Sequence, residues 1–135
     1  MSTSIYYVDA FTDKLFSGNP AAVIFSQIKD EQLMQKIAAE NNLSETAFIR
    51  EENGIFHIRW FAPLCEIDLC GHATLASAYI FFKYIKPESS MFEVQSLKNG
   101  ILKVTKKNNL LVLDFPKDSL SQYNEFSLIE EIINI

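Results

Sequence analysis

The stretch DLCGHATLASAYIFFKYIK, residues Asp68–Lys86, decides how this chain folds. From Leu75 to Phe82 its apolar residues run nearly all the way round a helix, and such a helix is usually enclosed by the rest of the protein. Lys86-Pro87 ends the pattern, because proline cannot continue a helix. The stretch therefore predicts a central buried helix that begins near Gly71. Four helix residues are expected to be largely buried: Leu75, Ala76, Tyr79 and Ile80.

The segments on either side of this helix are typical of strands, with one further helix among them. Strands are predicted at Ile5–Phe11, Ala21–Phe25, Thr46–Arg50, Phe56–Phe61, Met91–Gln95, Gly100–Lys106 and Leu110–Phe115. The other helix, Glu31–Glu40, has Asp30 as its cap, and Asn53-Gly54 predicts a hairpin turn. Ser127–Ile133 resembles the first turns of a third helix. This order favours an α+β fold in which a bent, mostly antiparallel sheet wraps like a barrel around the central helix.

The composition narrows the class of protein. The chain has 135 residues, 48% of them hydrophobic and 21% charged, which is ordinary for one globular domain. A net charge of −5 without a basic stripe argues against nucleic acid or an anionic membrane as a partner. The longest apolar run, Ala73–Phe82, is too short to span a membrane, and Met1–Ile5 is too polar for a signal peptide. A cytoplasmic location is therefore expected.

Cys70, Gly71 and His72 stand where the central helix begins. The first N–H groups of a helix are unpaired and partly positive, so they attract carboxylates and lower the pKa of a nearby thiol. The alternative interpretation is structural: a small buried cysteine and a histidine with satisfied hydrogen bonds. A metal site built from Cys65, Cys70, His72 and His57 lacks a recognisable four-ligand spacing, so no metal is expected.

Four ordered blocks of sequence indicate a family. They are VDAFTDKLFSGNPAAVIF from Val8, AAENNLSETAFI from Ala38, IRWFAPLCEIDLCGHATLASAY from Ile58 and LVLDFP from Leu111. Together they closely resemble the amino-terminal half of the PhzF-like isomerases of phenazine biosynthesis, within the diaminopimelate epimerase and proline racemase superfamily. The resemblance runs from Val8 to about Pro116.

This resemblance implies a fold and a reaction. Family members have two similar lobes, each a barrel-like sheet around one helix, with the active site between the facing helix starts. By resemblance, Glu45 is the general acid/base, His72 accompanies it, and Cys70 stands where the epimerase relatives keep a catalytic thiol. Four further residues are candidates for substrate binding: Asn19, Ser44, Gly71 and Ala73. The implied reaction is proton transfer at a carbon of a small carboxylate-bearing substrate, with no metal or organic cofactor.

Family members also carry a second lobe, whose helix start is typically DPATGSA, and no such segment occurs in this sequence. Residues 1–116 are expected to form the amino-terminal lobe, and residues 117–135 a connector toward a second lobe. Two alternatives stay open. The chain is either a half-length isomerase that pairs as a homodimer through its cleft face, or a truncated, catalytically silent lobe acting at most as a binding or interaction module.

Overall fold

A computed structural model of the chain describes residues 2–119. The strands are β1 (Tyr6–Ala10), β2 (Asn19–Phe25), β3 (Glu45–Glu52), β4 (Ile55–Phe61), β5 (Glu66–Ile67), β6 (Met91–Ser96), β7 (Ile101–Lys107) and β8 (Leu110–Asp114). The helices are α1 (Glu31–Asn41) and α2 (Gly71–Ile80). All of these were expected from the sequence except β5, which adds two residues to the edge of β4. The helical turns predicted at Ser127–Ile133 lie outside the described residues.

The eight strands form one mixed sheet in the order β1-β2-β3-β4-β6-β7-β8, with β5 beside β4. The β2–β3 and β4–β6 pairs are parallel, and the other pairs are antiparallel. A parallel pair needs a crossover connection, and here α1 lies between β2 and β3 in the sequence and α2 between β4 and β6. The expected α+β lobe, with a bent and mostly antiparallel sheet around one central helix, is confirmed.

The sheet separates two groups of buried side chains. Successive strand residues point to opposite faces, so Ala47 and Ile49 of β3 pack in the inner core, whereas Phe48 packs in an outer one. The inner core includes Ala73 and Ala76 of α2 and is the larger of the two. The outer core brings Met34 and Ala38 of α1 against the sheet. Therefore α2 is the central helix, and α1 packs outside, as the sequence indicated.

The helix α2 is not enclosed on all sides. Ala76 and Ile80 are buried as expected, but Leu75 is only half-buried and Tyr79 is 46% exposed, so the expectation for Tyr79 was wrong. Leu75 and Tyr79 are four residues apart and share one side of the helix. β1 and β8 end the sheet without pairing with each other among the described residues, which leaves this side of the helix uncovered.

The central helix also changes its geometry before it ends. The sequence predicted one continuous helix to Lys86, but α2 gives way to a π-helical turn over Phe81–Ile85. The Lys86 N–H donates to the Phe81 carbonyl oxygen at 2.8 Å, a bond that spans five residues. None of the described helices has the length and apolar character needed to cross a membrane.

The connection between β1 and β2 is a strained loop with an apolar surface. Gly18 has φ +82°, and a Cβ placed on it would lie 2.2 Å from the Ala10 carbonyl oxygen, so only glycine fits. Phe11 and Phe16 also have positive φ, which bulky residues rarely adopt. Three side chains of this apolar loop (residues 11–18) are strongly exposed: Phe11 at 70%, Leu15 at 83% and Phe16 at 98%. The loop lies at the end of the lobe where β2 begins.

Candidate active site at the start of the central helix

Strand register and helix position bring the candidate site residues to one end of the lobe. Glu45 is the first residue of β3 and points to the inner face, as Ala47 and Ile49 do. Its strand partner on β2 is Ala21, which also packs in the inner core. The Glu45 carboxylate is thus placed at the rim of the inner core, where α2 begins with Gly71. Its side chain is 18% exposed.

Glu45 and His72 are in direct contact. His72 Nε2 lies 3.0 Å from Glu45 Oε2, and the His72 side chain is only 9% exposed. The contact is short but bent: Oε2 is buried and has no hydrogen-bond partner of good geometry among the described residues. Charge–dipole attraction at 3.0 Å persists in a bent contact, so the imidazole still interacts with the carboxylate. The result is a carboxylate oxygen that is shielded from water without being saturated by hydrogen bonds.

Cys70 lies on the other side of the same imidazole ring. Its Sγ is 3.3 Å from His72 Nδ1, and the residue is 7% exposed. Burial raises the pKa of the Cys70 thiol to about 11; the amide groups of Ala73 and His72 lower it less, and the nearby Glu45 charge raises it further. The expectation that the helix start lowers this pKa was therefore wrong, because desolvation outweighs the helix amides. Cys70 carries a protonated thiol at neutral pH.

The structure places the four candidate substrate-binding residues differently. Ser44 is exposed, and its Oγ lies 3.4 Å from His72 Nε2. Asn19 is half-buried and precedes Ala21 by two residues, so it shares the inner face with Glu45. Gly71 opens α2 at the rim. The Ala73 side chain is fully buried in the inner core, so only its backbone could face a ligand. The binding roles of all four stay predictions.

The start of α2 is well suited to an anion. The N-cap residue Cys70 makes no capping hydrogen bond with its side chain, and the first turn contains no acidic residue. The amide groups near the Cys70 sulfur therefore form no capping hydrogen bond with it. The first N–H groups of the helix remain free to bind a negative ligand, where the helix dipole also favours negative charge.

Two contacts at the site involve residues to which the sequence analysis gave no role. The Ser44 hydroxyl donates to the Pro20 carbonyl oxygen at 3.4 Å. The Phe115 ring lies beside Gly71, with its Cε2 3.4 Å from the position a Cβ would take there. Pro20 and Phe115 belong to two of the blocks that carry the resemblance, VDAFTDKLFSGNPAAVIF and LVLDFP. The blocks were the available signal, but the contacts themselves depend on the fold.

Glu45, Cys70 and His72 also offer an oxygen, a sulfur and a nitrogen within 4.8 Å of one another, the kind of donor set a metal ion can use. His72, however, directs one ring nitrogen at each partner, Nδ1 at Cys70 and Nε2 at Glu45. A bound ion would break one of these contacts and would also have to displace the thiol proton. The expectation of no metal stays a prediction.

Two cavities of the lobe lie away from the candidate site. Two cavities of about 130 Å³ and 170 Å³ are present in the described part of the chain, and neither is lined by Glu45, Cys70 or His72. The first cavity lies between β4, β5 and the end of β6, and the second lies beside Gly54. The candidate site is therefore identified by its side-chain contacts and not by a cavity.

Known proteins resemble this chain in sequence and fold. Residues 8–131 match the family described as phenazine biosynthesis-like protein. The chain is 44% identical over 127 residues to an uncharacterized isomerase of Halalkalibacterium halodurans, covering 93% of this chain and 48% of that protein. It is 48% identical over 125 residues to the phenazine biosynthesis-like domain-containing protein of Bos taurus, covering 86% of this chain and 43% of that protein.

Solved structures agree with the sequence comparisons. A phenazine biosynthesis protein of the PhzF family from Enterococcus faecalis superposes with a TM-score of 0.81 at 45% sequence identity. The superposition covers 95% of this chain and 50% of the other. The chain spans about half the length of the curated relatives it matches.

Proposed function

We propose that this chain, which belongs to the phenazine biosynthesis-like protein family, is one lobe of an isomerase that moves a proton at a carbon atom of a small carboxylate-bearing substrate. The observation that carries the proposal is the 3.0 Å contact between Glu45 Oε2 and His72 Nε2 at the start of α2. Three bacterial relatives are named uncharacterized isomerases, which supports the reaction class.

Glu45 acts as the general base and then as the general acid. The C–H bond of the substrate breaks, its proton moves to a Glu45 oxygen, and the electron pair stays on the substrate as an enolate-like anion. The proton then returns at another carbon, so no oxidant, reductant or metal takes part. Partial burial of Glu45 supports this role, since proton transfer is efficient where bulk water is excluded. His72 lies against the carboxylate and orients it.

The start of α2 binds the substrate carboxylate. The free amides of Gly71 and His72 donate to it, and the helix dipole stabilises the enolate-like charge that develops beside it. Asn19 and Ser44 stand at the rim, where they contact the remaining polar groups of the substrate. This arrangement favours a small acid over a neutral or cationic ligand.

The site is completed by a second copy of the chain. We take residues 1–116 as the lobe, and the predicted connector, residues 117–135, lies largely outside the described residues. The apolar loop supports pairing through the cleft face, because Leu15 and Phe16 are strongly exposed at the end of the lobe that carries Glu45. A two-fold axis would bring the two α2 starts toward each other. The partner copy's Glu45 would then face the same cleft, whereas the Cys70 thiol is a poor general base because burial raises its pKa to about 11.

Deuterium incorporation tests the reaction class before the substrate has been identified. The protein is incubated with a panel of small carboxylic acids in D₂O, and loss of carbon-bound proton signals is followed by NMR. At least one acid should exchange with the wild type and not with Glu45→Gln, which keeps the shape of the side chain but cannot take a proton. Glu51→Gln is the matched control, because Glu51 lies exposed near the other end of β3.

The result also discriminates between the two alternatives. Exchange that is equal in the wild type and Glu45→Gln would refute the role of Glu45. Binding of an acid without exchange would leave the lobe a binding module, and neither binding nor exchange would leave it a silent one.

A further inference from the structure

We infer that Cys70 is a positioning residue that holds His72 in one neutral tautomer, with the imidazole proton on Nε2 facing Glu45. The tautomer follows from the hydrogen bonds around the ring; only its consequence for catalysis rests on the proposed function. Cys70 thereby takes a role different from that of a thiol that itself exchanges protons with substrate.

The first part of the argument concerns Nδ1. The Cys70 sulfur lies 3.3 Å from it, and burial keeps this thiol protonated, with a pKa of about 11. The sulfur makes no capping hydrogen bond with the first amides of α2, whereas its contact with Nδ1 meets hydrogen-bond geometry. The thiol hydrogen is then free to point at the ring. A nitrogen that accepts this hydrogen carries no proton of its own.

The second part concerns Nε2. Ser44 Oγ lies 3.4 Å from Nε2 and 3.4 Å from the Pro20 carbonyl oxygen. A carbonyl oxygen can only accept, and a hydroxyl has one hydrogen, so the Ser44 hydrogen points to Pro20 and its oxygen faces Nε2 as an acceptor. Glu45 Oε2, at 3.0 Å, is a second acceptor. A lone pair on Nε2 would be repelled by both oxygens, whereas a proton there is attracted by both.

Both sides of the ring therefore select the same tautomer, and the five groups form a directed network that branches at Nε2. The Cys70 thiol donates to Nδ1, Nε2–H faces Ser44 and Glu45, and the Ser44 hydroxyl donates to Pro20. Without the thiol, the ring can move its proton to Nδ1 and turn a lone pair toward Glu45. The carboxylate would then lose the partner that orients it.

The tautomer is measured by ¹⁵N NMR on the uniformly labelled chain near pH 8. In a neutral imidazole the protonated nitrogen resonates far upfield of the unprotonated one, so the two tautomers give opposite patterns. The chain has two histidines, and His57→Gln assigns the remaining ring to His72. The wild type should show Nε2 protonated and Nδ1 unprotonated. A proton on Nδ1, or on both nitrogens, would overturn the inference without any variant being needed.

Variants then test whether Cys70 is the cause. Cys70→Ala should admit a measurable fraction of the Nδ1–H tautomer, and Cys70→Ser, which keeps a donor hydrogen, should restore the wild-type pattern. Cys65→Ala is the matched control, since Cys65 is exposed and lies outside the site. A folded Cys70→Ala with an unchanged tautomer would contradict the positioning role.

The catalytic consequence has a separate measurement. In the deuterium assay with an exchanging acid, Cys70→Ala should lower kcat at least about tenfold with little change in KM, and Cys70→Ser should recover most of the loss. If no acid exchanges with the wild type, the proposed function fails while the NMR result stands. If exchange occurs and the tautomer is wrong, the positioning role fails alone.

Discussion

Glu45 begins β3, His72 is the second residue of α2, and the two side chains meet at 3.0 Å between Oε2 and Nε2. Cys70 contacts the opposite nitrogen of the same ring at 3.3 Å. The imidazole thus links a carboxylate to a buried thiol, and a change at either end should be detectable at the other.

The two cysteines should differ strongly in reactivity. Cys65 is exposed, whereas Cys70 is buried and its pKa is raised from 9.0 to about 11. At pH 8 a shift of that size leaves the Cys70 thiolate fraction about 100-fold below that of a thiol with the ordinary pKa. Ellman's reagent should therefore modify one thiol per chain rapidly and the second only after denaturation. Rapid modification of both in the folded wild type, or of the remaining thiol in Cys65→Ala, would contradict the assignment.

The same shift predicts how stability depends on pH. The folded chain binds the Cys70 proton more tightly than the unfolded chain, because the pKa of the folded state is the higher one. The stabilisation is complete below pH 9 and is lost as the pH rises toward 11. The free energy of unfolding should fall over this window in the wild type and fall less in Cys70→Ala. The free energy of unfolding is measured by urea denaturation at pH 8.5 and 10.5. An equal fall in the wild type and in Cys70→Ala would argue against a raised Cys70 pKa.

Neutralising Glu45 should make Cys70 more reactive. The Glu45 charge is one of the causes that raise the pKa of the thiol, so Glu45→Gln should lower that pKa and speed alkylation of Cys70 by iodoacetamide above pH 8. The alkylation rate is measured in a Cys65→Ala background, where Cys70 is the one remaining thiol. Glu51→Gln should leave the rate unchanged, since Glu51 is exposed and away from the site. No acceleration in Glu45→Gln would show that the two groups are not electrostatically coupled.

Alanine variants of two glycines distinguish the cost of backbone strain from the cost of a steric clash. Gly54→Ala should cost about 1 kcal/mol, because its φ is +79° but nothing lies within 4 Å of the new Cβ. Gly18→Ala adds a contact of 2.2 Å with the Ala10 carbonyl oxygen to a similar φ, and should cost roughly 3 kcal/mol or more. Urea denaturation measures the loss in the free energy of unfolding for each variant. Equal losses would mean that the β1–β2 loop relaxes around the methyl group.

The uncovered side of α2 can be distinguished from the enclosed side by adding a charge. Ala76→Asp places a carboxylate in the inner core and should prevent folding, because Ala76 is 1% exposed. Tyr79→Asp should give a soluble protein with a cooperative melting transition, since Tyr79 is 46% exposed. An unfolded Tyr79→Asp variant would show that this side of the helix is covered in solution.

The apolar loop should decide the oligomeric state. We expect a homodimer at micromolar concentration in sedimentation velocity, with at least roughly 1,000 Å² buried in total. The double variant Leu15→Ser, Phe16→Ser should be a folded monomer, because both side chains are exposed and contribute little to the fold. Leu110→Ser is the control: Leu110 is 70% exposed but lies at the far end of β8. A monomeric wild type, or dissociation by Leu110→Ser alone, would refute pairing through the cleft face.

Local signals in the sequence predicted local structure well. Asp30 caps α1 by accepting from the N–H of Gln32 at 2.9 Å, and Asn53 and Gly54 both have the positive φ of a tight hairpin turn. Each depends on a few neighbouring residues. The apolar pattern of α2 correctly indicated a central helix, but it could not show whether the sheet closes around it, so the exposure of Tyr79 was missed.

The site required information of a different kind. No spacing rule joins Glu45 to His72, because they are brought together by strand order and by a crossover helix; their pairing came from the family resemblance. The direction of the Cys70 pKa shift was also out of reach, because helix amides and burial act in opposite directions and only the structure gives their relative size. Pro20 was missed because it contributes a backbone carbonyl, which any residue provides.

The two parallel strand pairs determine when the site can form during folding. Neither β2–β3 nor β4–β6 can assemble as a hairpin, so each must wait for its crossover segment, and pairings of this kind are slow to nucleate. Glu45 stands directly after the first crossover, and His72 lies within the second. A chain still emerging from the ribosome could hold β1 and β2 as a hairpin while Glu45 and His72 are still apart. The Glu45–His72 contact is therefore a late event in folding, because it forms only after both crossover segments are in place.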